Sequence, residues 1–321
     1  MEGGGKMQQG DIMNYQKKLL SKNGLSTMIL AKELIGYKVG ERIPTVSELN
    51  KKIGIARGTI QNAMNFLQSY KAIEIESKGH LGSFLVAKNN EILLSFAGIT
   101  SIVGAMPLPY SRRYEGLAAG LIMAMQNQYN IPVSMAYMRG AENRIAMLLS
   151  GRYDFAVVSK YAANEIMREK ERSEIEIMKE FGEFSYTSRH VILFHSPEIQ
   201  NITDGMKVAI DESSIDQSLM TKKICADKDV EFVKVGYHQI LEKIRDGSID
   251  AAIWSEDMIT DKMLQIHYVP LNGMNNENTE AVVVVHTEKP EIKSFIHDIL
   301  NIEDVLKVQK LVLEGKMIPS Y

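Results

Sequence analysis

Apolar residues recur at helical spacing twice near the start of the chain. Pro44 and two possible N-cap residues, Thr45 and Ser47, precede apolar positions running to Ile53, which predicts a short helix. Gly54 interrupts it. The run 55–67 predicts a second helix with Ile60, Ala63, Met64 and Leu67 on one face. Beyond it Ala72-Ile73-Glu74-Ile75-Glu76 alternates as a strand does, Lys78-Gly79-His80-Leu81-Gly82 reads as a turn, and Ser83-Phe84-Leu85-Val86 returns. Helix, tight glycine turn, helix and hairpin together predict a winged helix-turn-helix, an α+β module, over residues 1–88.

From Ile92 the pattern changes. Runs that read as strands, Ile92 to Phe96 and Val133 to Tyr137, alternate with helical stretches such as Tyr114 to Gln126, which predicts an α/β fold over residues 92–321. An internal echo lies within it. Ile145-x-x-Leu148-x-x-Gly151-x-x-Asp154-x-Ala156-Val157-x-Ser159 recurs 96 residues later as Leu241-x-x-Ile244-x-x-Gly247-x-x-Asp250-x-Ala252-Ile253-x-Ser255. Each copy reads as a helix stopped by glycine, a turn opened by aspartate, and a buried strand ending at serine, so two lobes of like construction are expected.

Composition narrows the setting. Of 321 residues 45% are hydrophobic and 24% charged, ordinary values for globular domains. Even Ala281-Val282-Val283-Val284-Val285 is closed by His286, far short of the roughly 18 apolar residues of a membrane span, so no membrane partner is expected. The glycine-rich start at Met1 lacks the apolar core of a secretory signal, and a cytoplasmic location is expected. The single cysteine, Cys225, allows no internal disulfide and reads as a small buried side chain. The net charge of −3 hides an asymmetry: residues 1–88 hold 13 Lys and Arg against 7 Asp and Glu, the remainder 24 against 33. A basic module joined to an acidic one points to a polyanion partner for the first part alone.

In a helix-turn-helix that reads DNA, the second helix enters the major groove with its first residues against base edges, which turns Arg57, Thr59 and Gln61 outward. Arg suits a guanine edge, Gln an adenine edge and the Thr methyl a thymine. Lys51 and Lys52 are placed for phosphates. With Thr45 and the turn residues Gly79, His80 and Gly82 they make the candidate contacts to double-stranded DNA.

Gly40, Pro44, Glu48-Leu49 and Gly54-Ile55-Ala56-Arg57-Gly58-Thr59-Ile60 resemble the winged helix of GntR-type regulators over about residues 29–86. Ser47, Ala56 and Gln61 stand where that pattern has an arginine, a serine and a second arginine, and the wing loop is one residue longer. The resemblance carries over only Arg57, Thr59 and the wing glycines, and implies an operator unlike that of typical members.

The repeated helix, glycine, aspartate and strand arrangement resembles the type II periplasmic-binding-protein fold, also used for ligand sensing in LysR-type regulators. This implies lobe one at about 92–189 and 280–321 and lobe two at about 190–279. The same pairing of modules, with the runs Ala97-Gly98-Ile99-Thr100 and Ile210-Asp211-Glu212-Ser213-Ser214-Ile215-Asp216-Gln217, resembles the YhfZ family of transcription regulators.

Such folds bind ligand in the cleft, at loops after strands and at helix N-termini. The candidate ligand residues are Gly98, Ile99, Thr100, Ser101, Arg139, Ser159, Lys160, Ser188, Arg189, Ser213, Ser214, Gln217 and Ser255. Serines at helix starts suit a carboxylate or phosphate, with Arg112, Arg113, Arg139, Lys160 or Arg189 as countercharge, so a small polar, anionic effector is expected.

No nucleophile with a base, carboxylate pair or metal-ligand spacing is recognisable, so no catalytic residue, metal or cofactor is expected. His190 and His195 read as hinge or core residues, Glu171, Glu174, Glu176 and Glu180 as a solvated helical face, and Met123 and Met125 as core. The leading expectation is a DNA-binding regulator that works as a homodimer, since paired half-sites multiply weak contacts. An enzyme built on the two-lobed fold is the second reading, and a transport receptor the third.

Overall fold

The computed structural model of the chain describes residues 21–126, 131–169, 174–273 and 276–320. The described residues form two compact units, the first comprising residues 21–102 with Lys289–Asp298, the second most of the rest.

The first unit contains helices α1 (Lys22–Ile35), α2 (Val46–Ile53) and α3 (Arg57–Ser69) and strands β1 (Arg42–Ile43), β2 (Ile73–Ser77) and β3 (Ser83–Lys88). The strands form an antiparallel sheet in the order β1-β3-β2. Thr45 caps α2 through a reciprocal pair: its hydroxyl accepts from the Glu48 N–H at 3.2 Å, and the Glu48 carboxylate accepts from the Thr45 N–H at 2.6 Å. Gly54 ends the helix with φ at 70°, left-handed backbone that costs other residues about 1–2 kcal/mol. Ile60, Ala63, Met64 and Leu67 are buried along α3, the stripe expected from their spacing, and Leu30, Leu34, Leu49 and Leu85 are buried in the same unit.

One expected strand is a helix. Ile92 to Phe96 belong to α4 (Asn90–Phe96), capped by the Asn89 side chain, which accepts from the Ile92 N–H at 3.1 Å. Its burial is one-sided, at Leu93 and Leu94.

The second unit holds two five-stranded sheets. The first is ordered β5 (Val133–Tyr137), β4 (Ile102–Met106), β6 (Phe155–Ser159), β13 (Ala281–His286), β7 (Ile175–Glu180). The second is ordered β10 (Glu231–Lys234), β9 (Lys207–Ile210), β11 (Ala251–Ser255), β8 (His190–Phe194), β12 (His267–Pro270). In each, parallel strands give way to antiparallel ones at the same place, since β4 and β9 run parallel to β6 and β11 while β13 and β8 run antiparallel to them. Five consecutive buried residues in β13 fit a strand covered on both faces.

The repeat becomes matching geometry. Helices α6 (Ala141–Leu149) and α9 (Ile240–Arg245) are followed by Gly151 and Gly247, with φ of 77° and 73°. Asp154 and the Val103 backbone exchange two hydrogen bonds, 2.8 and 2.9 Å; Asp250 and the Lys207 backbone exchange two, 2.8 and 2.7 Å. Each aspartate thus fastens its strand to the start of the parallel neighbour.

Glu176 and Glu180 lie on β7, not on a helix, because Ile175 and Ile177 alternate with them against buried neighbours. Glu171 lies outside the described residues. Met125 is fully buried, but Met123, near the C-terminal end of α5 (Arg112–Gln126), is 38% exposed. Cys225 is buried, as expected. The remaining helices of this unit include α7 (Lys160–Glu169), α8 (Ile215–Ile224), α10 (Glu256–Asp261) and α12 (Ile302–Leu313), while nearly all of α11 (Pro290–Ile299) belongs to the first. No described helix is long and apolar enough to cross a membrane.

Candidate nucleic-acid interface and ligand cavity

The first turn of α3 faces solvent. Arg57 and Gln61 are exposed and Thr59 half-buried, while the opposite face of the helix builds the core. No side chain caps the helix start at Ala56, so its N–H groups are open to an anion. Gln61 donates to Asn65 at 3.1 Å, which steadies it on the exposed face. Lys51 is exposed. Lys52 is paired with Glu33 and held above the ordinary lysine range by that hydrogen bond. Thr45 is committed to capping α2. Gly79, His80 and Gly82 sit at the tip between β2 and β3, where Gly82 has φ of 95° and a Cβ would lie 2.7 Å from Arg42 Nε.

The second unit holds a partly open cavity of about 100 Å³. Because about 10–15 Å³ suffices for one water, it has room for a small molecule of several heavy atoms. Pro107, Leu108 and Tyr110 after β4, Arg139 and Gly140 after β5, Asp211 and Ser214 after β9 and Ser255 at the end of β11 contribute to its wall. These are carboxyl ends of parallel strands, where open α/β sheets hold ligands. Tyr114, Ala141, Arg144, Tyr186, Thr187, His190, Asp216, Gln217, Tyr237 and Met258 complete it.

Arg144 is 3% exposed and donates only to neutral oxygens: Nε to the Val157 carbonyl at 3.0 Å, Nη1 to Met138 at 2.7 Å, Nη2 to the Tyr186 hydroxyl at 3.1 Å. Among the described residues no carboxylate pairs with it. Arg139 meets the His238 ring. Asp216 is 9% exposed, and its carboxylate accepts from the Ser159 hydroxyl at 2.7 and 2.8 Å. Burial pushes it up to about 6, against the Ser159 hydrogen bond and the Arg144 charge. Asp211 spends its carboxylate on loop building, accepting from the Ser213 N–H and hydroxyl and from the Tyr237 N–H. His190 Nδ1 is buried without a hydrogen-bond partner among the described residues, and burial lowers the ring to about 4. Tyr114 and Tyr186 meet edge to face at 5.1 Å, and burial raises both phenols.

Four of the residues expected at the ligand line the cavity: Arg139, Ser214, Gln217 and Ser255. The others serve elsewhere. Ser159 lies beneath the wall and orients Asp216; Lys160 pairs with Glu180 and Glu280; the Ser188 N–H donates to Asp257; Arg189 grips Glu256 with two N–H groups; Ser213 bonds Asp211. Gly98, Ile99, Thr100 and Ser101 connect α4 to β4 in the first unit and are not on the wall, since the apolar run before them is a helix. Arg113 pairs with Asp257 at 3.1 Å, and the Arg112 N–H donates to Asp261. Of the two histidines read as hinge or core, His190 is on the cavity wall and His195 pairs with Asp250 at 3.5 Å. The tyrosines, Arg144 and Asp216 escape sequence reading because they converge from separate elements. The one local hint is Asp211 and Asp216 inside an already distinctive run.

Comparison with known proteins fits this layout. A helix-turn-helix domain model matches residues 38–85, and the YhfZ C-terminal domain model matches residues 89–321. The chain is 35% identical over 311 residues to the uncharacterized protein YhfZ of Escherichia coli (strain K12), covering 95% of this chain and all of that one. The crystal structure of YhfZ from Shigella flexneri matches at 36% identity with a TM-score of 0.60, over 72% of this chain and 98% of that one. An ancestral arginine-binding protein bound to arginine matches at 13% identity and a TM-score of 0.50, over 68% of this chain and 99% of that one. That likeness shows that the C-terminal part has a periplasmic-binding-protein-like fold. With both domain models matched in order and a relative aligned along nearly its whole length, the chain belongs to the YhfZ family.

Proposed function

We propose that the chain is a DNA-binding transcription regulator whose affinity for its operator is set by a small polar molecule, bearing an anionic group, held in the cavity of the C-terminal domain. The observation that carries the reading is α3: its apolar stripe is buried while Arg57 and Gln61 stand exposed at an uncapped helix start. That is the arrangement a major-groove reader needs. Arg144 supports the anionic part, because a buried guanidinium with only neutral partners gains from a carboxylate or phosphate, and the exposed Arg139 adds a second positive charge to the wall.

In this reading residues 1–88 bind DNA and residues 92–321 sense the effector, with lobe one at about 92–189 and 280–321 and lobe two at about 190–279. The protein works in the cytoplasm as a homodimer of GntR-like winged helices. Ligand acts by binding one arrangement of the dimer better than the other.

The test is binding of the full chain to duplex DNA by fluorescence anisotropy across a salt series. Wild type should weaken steeply with salt and Arg57→Ala should bind more weakly. Binding that ignored both salt and Arg57 would remove the DNA-reading assignment. Calorimetry against small acids and phosphates tests the cavity; binding of neutral molecules alone would remove its anionic part.

A further inference from the structure

The cavity wall carries two buried charges of opposite sign that do not pair with each other. Arg144 gives its N–H groups to two backbone carbonyls and Tyr186, and Asp216 takes its side-chain hydrogen bond from the Ser159 hydroxyl. They feel one another electrostatically, since Arg144 lowers the affinity of Asp216 for its proton, yet no ion pair links them. Keeping a carboxylate this buried with one hydroxyl donor and its own backbone N–H for partners is unfavourable. A hydroxyl has a single proton, and Ser159 Oγ already accepts from the Ala162 N–H at 3.0 Å, so Ser159 cannot saturate the carboxylate.

We propose that Asp216 receives a protonated amine, and that the molecule held in the cavity is an amino-acid-like zwitterion: carboxylate toward Arg144 and Arg139, ammonium toward Asp216. This deepens the reading of the same cavity given above and rests on it. Asp211, the other acidic residue on the wall, is unsuited to the role because backbone N–H groups and Ser213 fill its oxygens. Tyr114 and Tyr186 add aromatic surface favourable to a nearby cation. The cavity volume of about 100 Å³ has room for a small molecule of this kind.

The experiment is a thermal-shift and calorimetric panel on the full chain at pH 7.5. Its probes are the common L-amino acids, their α-hydroxy-acid counterparts lacking the amine, the corresponding amines lacking the carboxylate, and inorganic phosphate. The expected result is at least one amino acid that binds, at least tenfold more tightly than its hydroxy-acid counterpart, with the amine alone inert. In Asp216→Asn that preference should fall at least tenfold, while Ser159→Ala should retain it in part.

Binding confined to hydroxy acids or phosphate overturns the zwitterion and leaves the anionic reading standing. Binding of amines alone, or of no probe, overturns both. Should Asp216→Asn not fold, the wild-type comparison of amino acid with hydroxy acid still decides.

Discussion

Tyr237 lies flat on Trp254, ring centroids 4.0 Å apart with 7° between the planes. Tyr237 is on the cavity wall, and its hydroxyl accepts from the Ser255 N–H at 2.9 Å. Trp254 is buried behind it and is the chain's single tryptophan. Whatever displaces Tyr237 therefore changes the environment of the one dominant fluorophore. Occupation of the cavity should shift or quench the intrinsic emission, saturating at the Kd found by calorimetry. Trp254→Phe should bind equally well with no such signal. An emission titration in wild type that stayed flat while calorimetry showed binding would place the ligand away from Tyr237.

Gly120→Ala sets two effects against each other. Alanine is favoured over glycine in a helix interior by about 1 kcal/mol. At Gly120, on α5, a Cβ would lie 2.7 Å from the Val305 carbonyl oxygen and 3.0 Å from Val305 Cα, both backbone atoms of α12. Overpacking against backbone costs typically about 1–3 kcal/mol. The clash should win, so Gly120→Ala should lower Tm although it improves helix propensity. Gly58→Ala, in the exposed first turn of α3 with open space around it, should raise Tm or leave it unchanged. Chemical denaturation of the two variants measures both signs.

Lys51 and Lys52 are adjacent in sequence but differ in their surroundings. Lys52 is already tied to Glu33, whereas Lys51 is exposed. Each phosphate contact contributes about 0.9 to the slope of log K against log salt. Lys51→Ala should flatten that slope by close to one contact, and Lys52→Ala by less, because its charge is partly neutralised before DNA arrives. Equal slopes for the two variants would show that the Glu33 pair opens on binding.

The first module is legible because its information is local. Thr45, Gly54 and the Ile60, Ala63, Met64, Leu67 stripe act within a few residues, and caps, breaks and stripes form where they are written. Ile92 to Phe96 is ambiguous on the same grounds: a short apolar run suits a buried strand or a helix, and the Asn89 cap decides. The echoed motifs announced two like sheets, and their aspartates do equivalent work at Val103 and Lys207. Their serines do not. Ser159 turns to Asp216, while Ser255 meets Thr187 at 2.8 Å. The cavity was the least legible part, since Tyr114, Arg144, Tyr186 and Asp216 come from four distant segments and meet only through long-range packing.

Two wall residues titrate with opposite effects in one pH window. Asp216 has its folded pKa raised to about 6 from an ordinary 3.8, so the folded state holds the extra proton between those values and its burial penalty is relieved as pH falls from about 6 toward 4. His190 has its folded pKa lowered to about 4 from 6.5, so there the unfolded state holds the extra proton, and stability is lost over nearly the same descent. The shifts are about two units for Asp216 and about two and a half for His190, or roughly 3 kcal/mol each by the conversion of about 1.36 kcal/mol per unit. Wild-type stability between pH 4 and 6.5 should therefore change little on account of this pair. Asp216→Asn removes the compensating member: it should be more stable than wild type at pH 7.5, because no buried carboxylate remains, and should lose stability more steeply on acidification. His190→Gln should do the reverse, gaining stability relative to wild type as pH falls below 6. Urea denaturation of the three proteins at pH 4.5, 6.0 and 7.5 reads the slopes directly, and parallel pH profiles would mean that neither group is held in the protonation state its burial imposes.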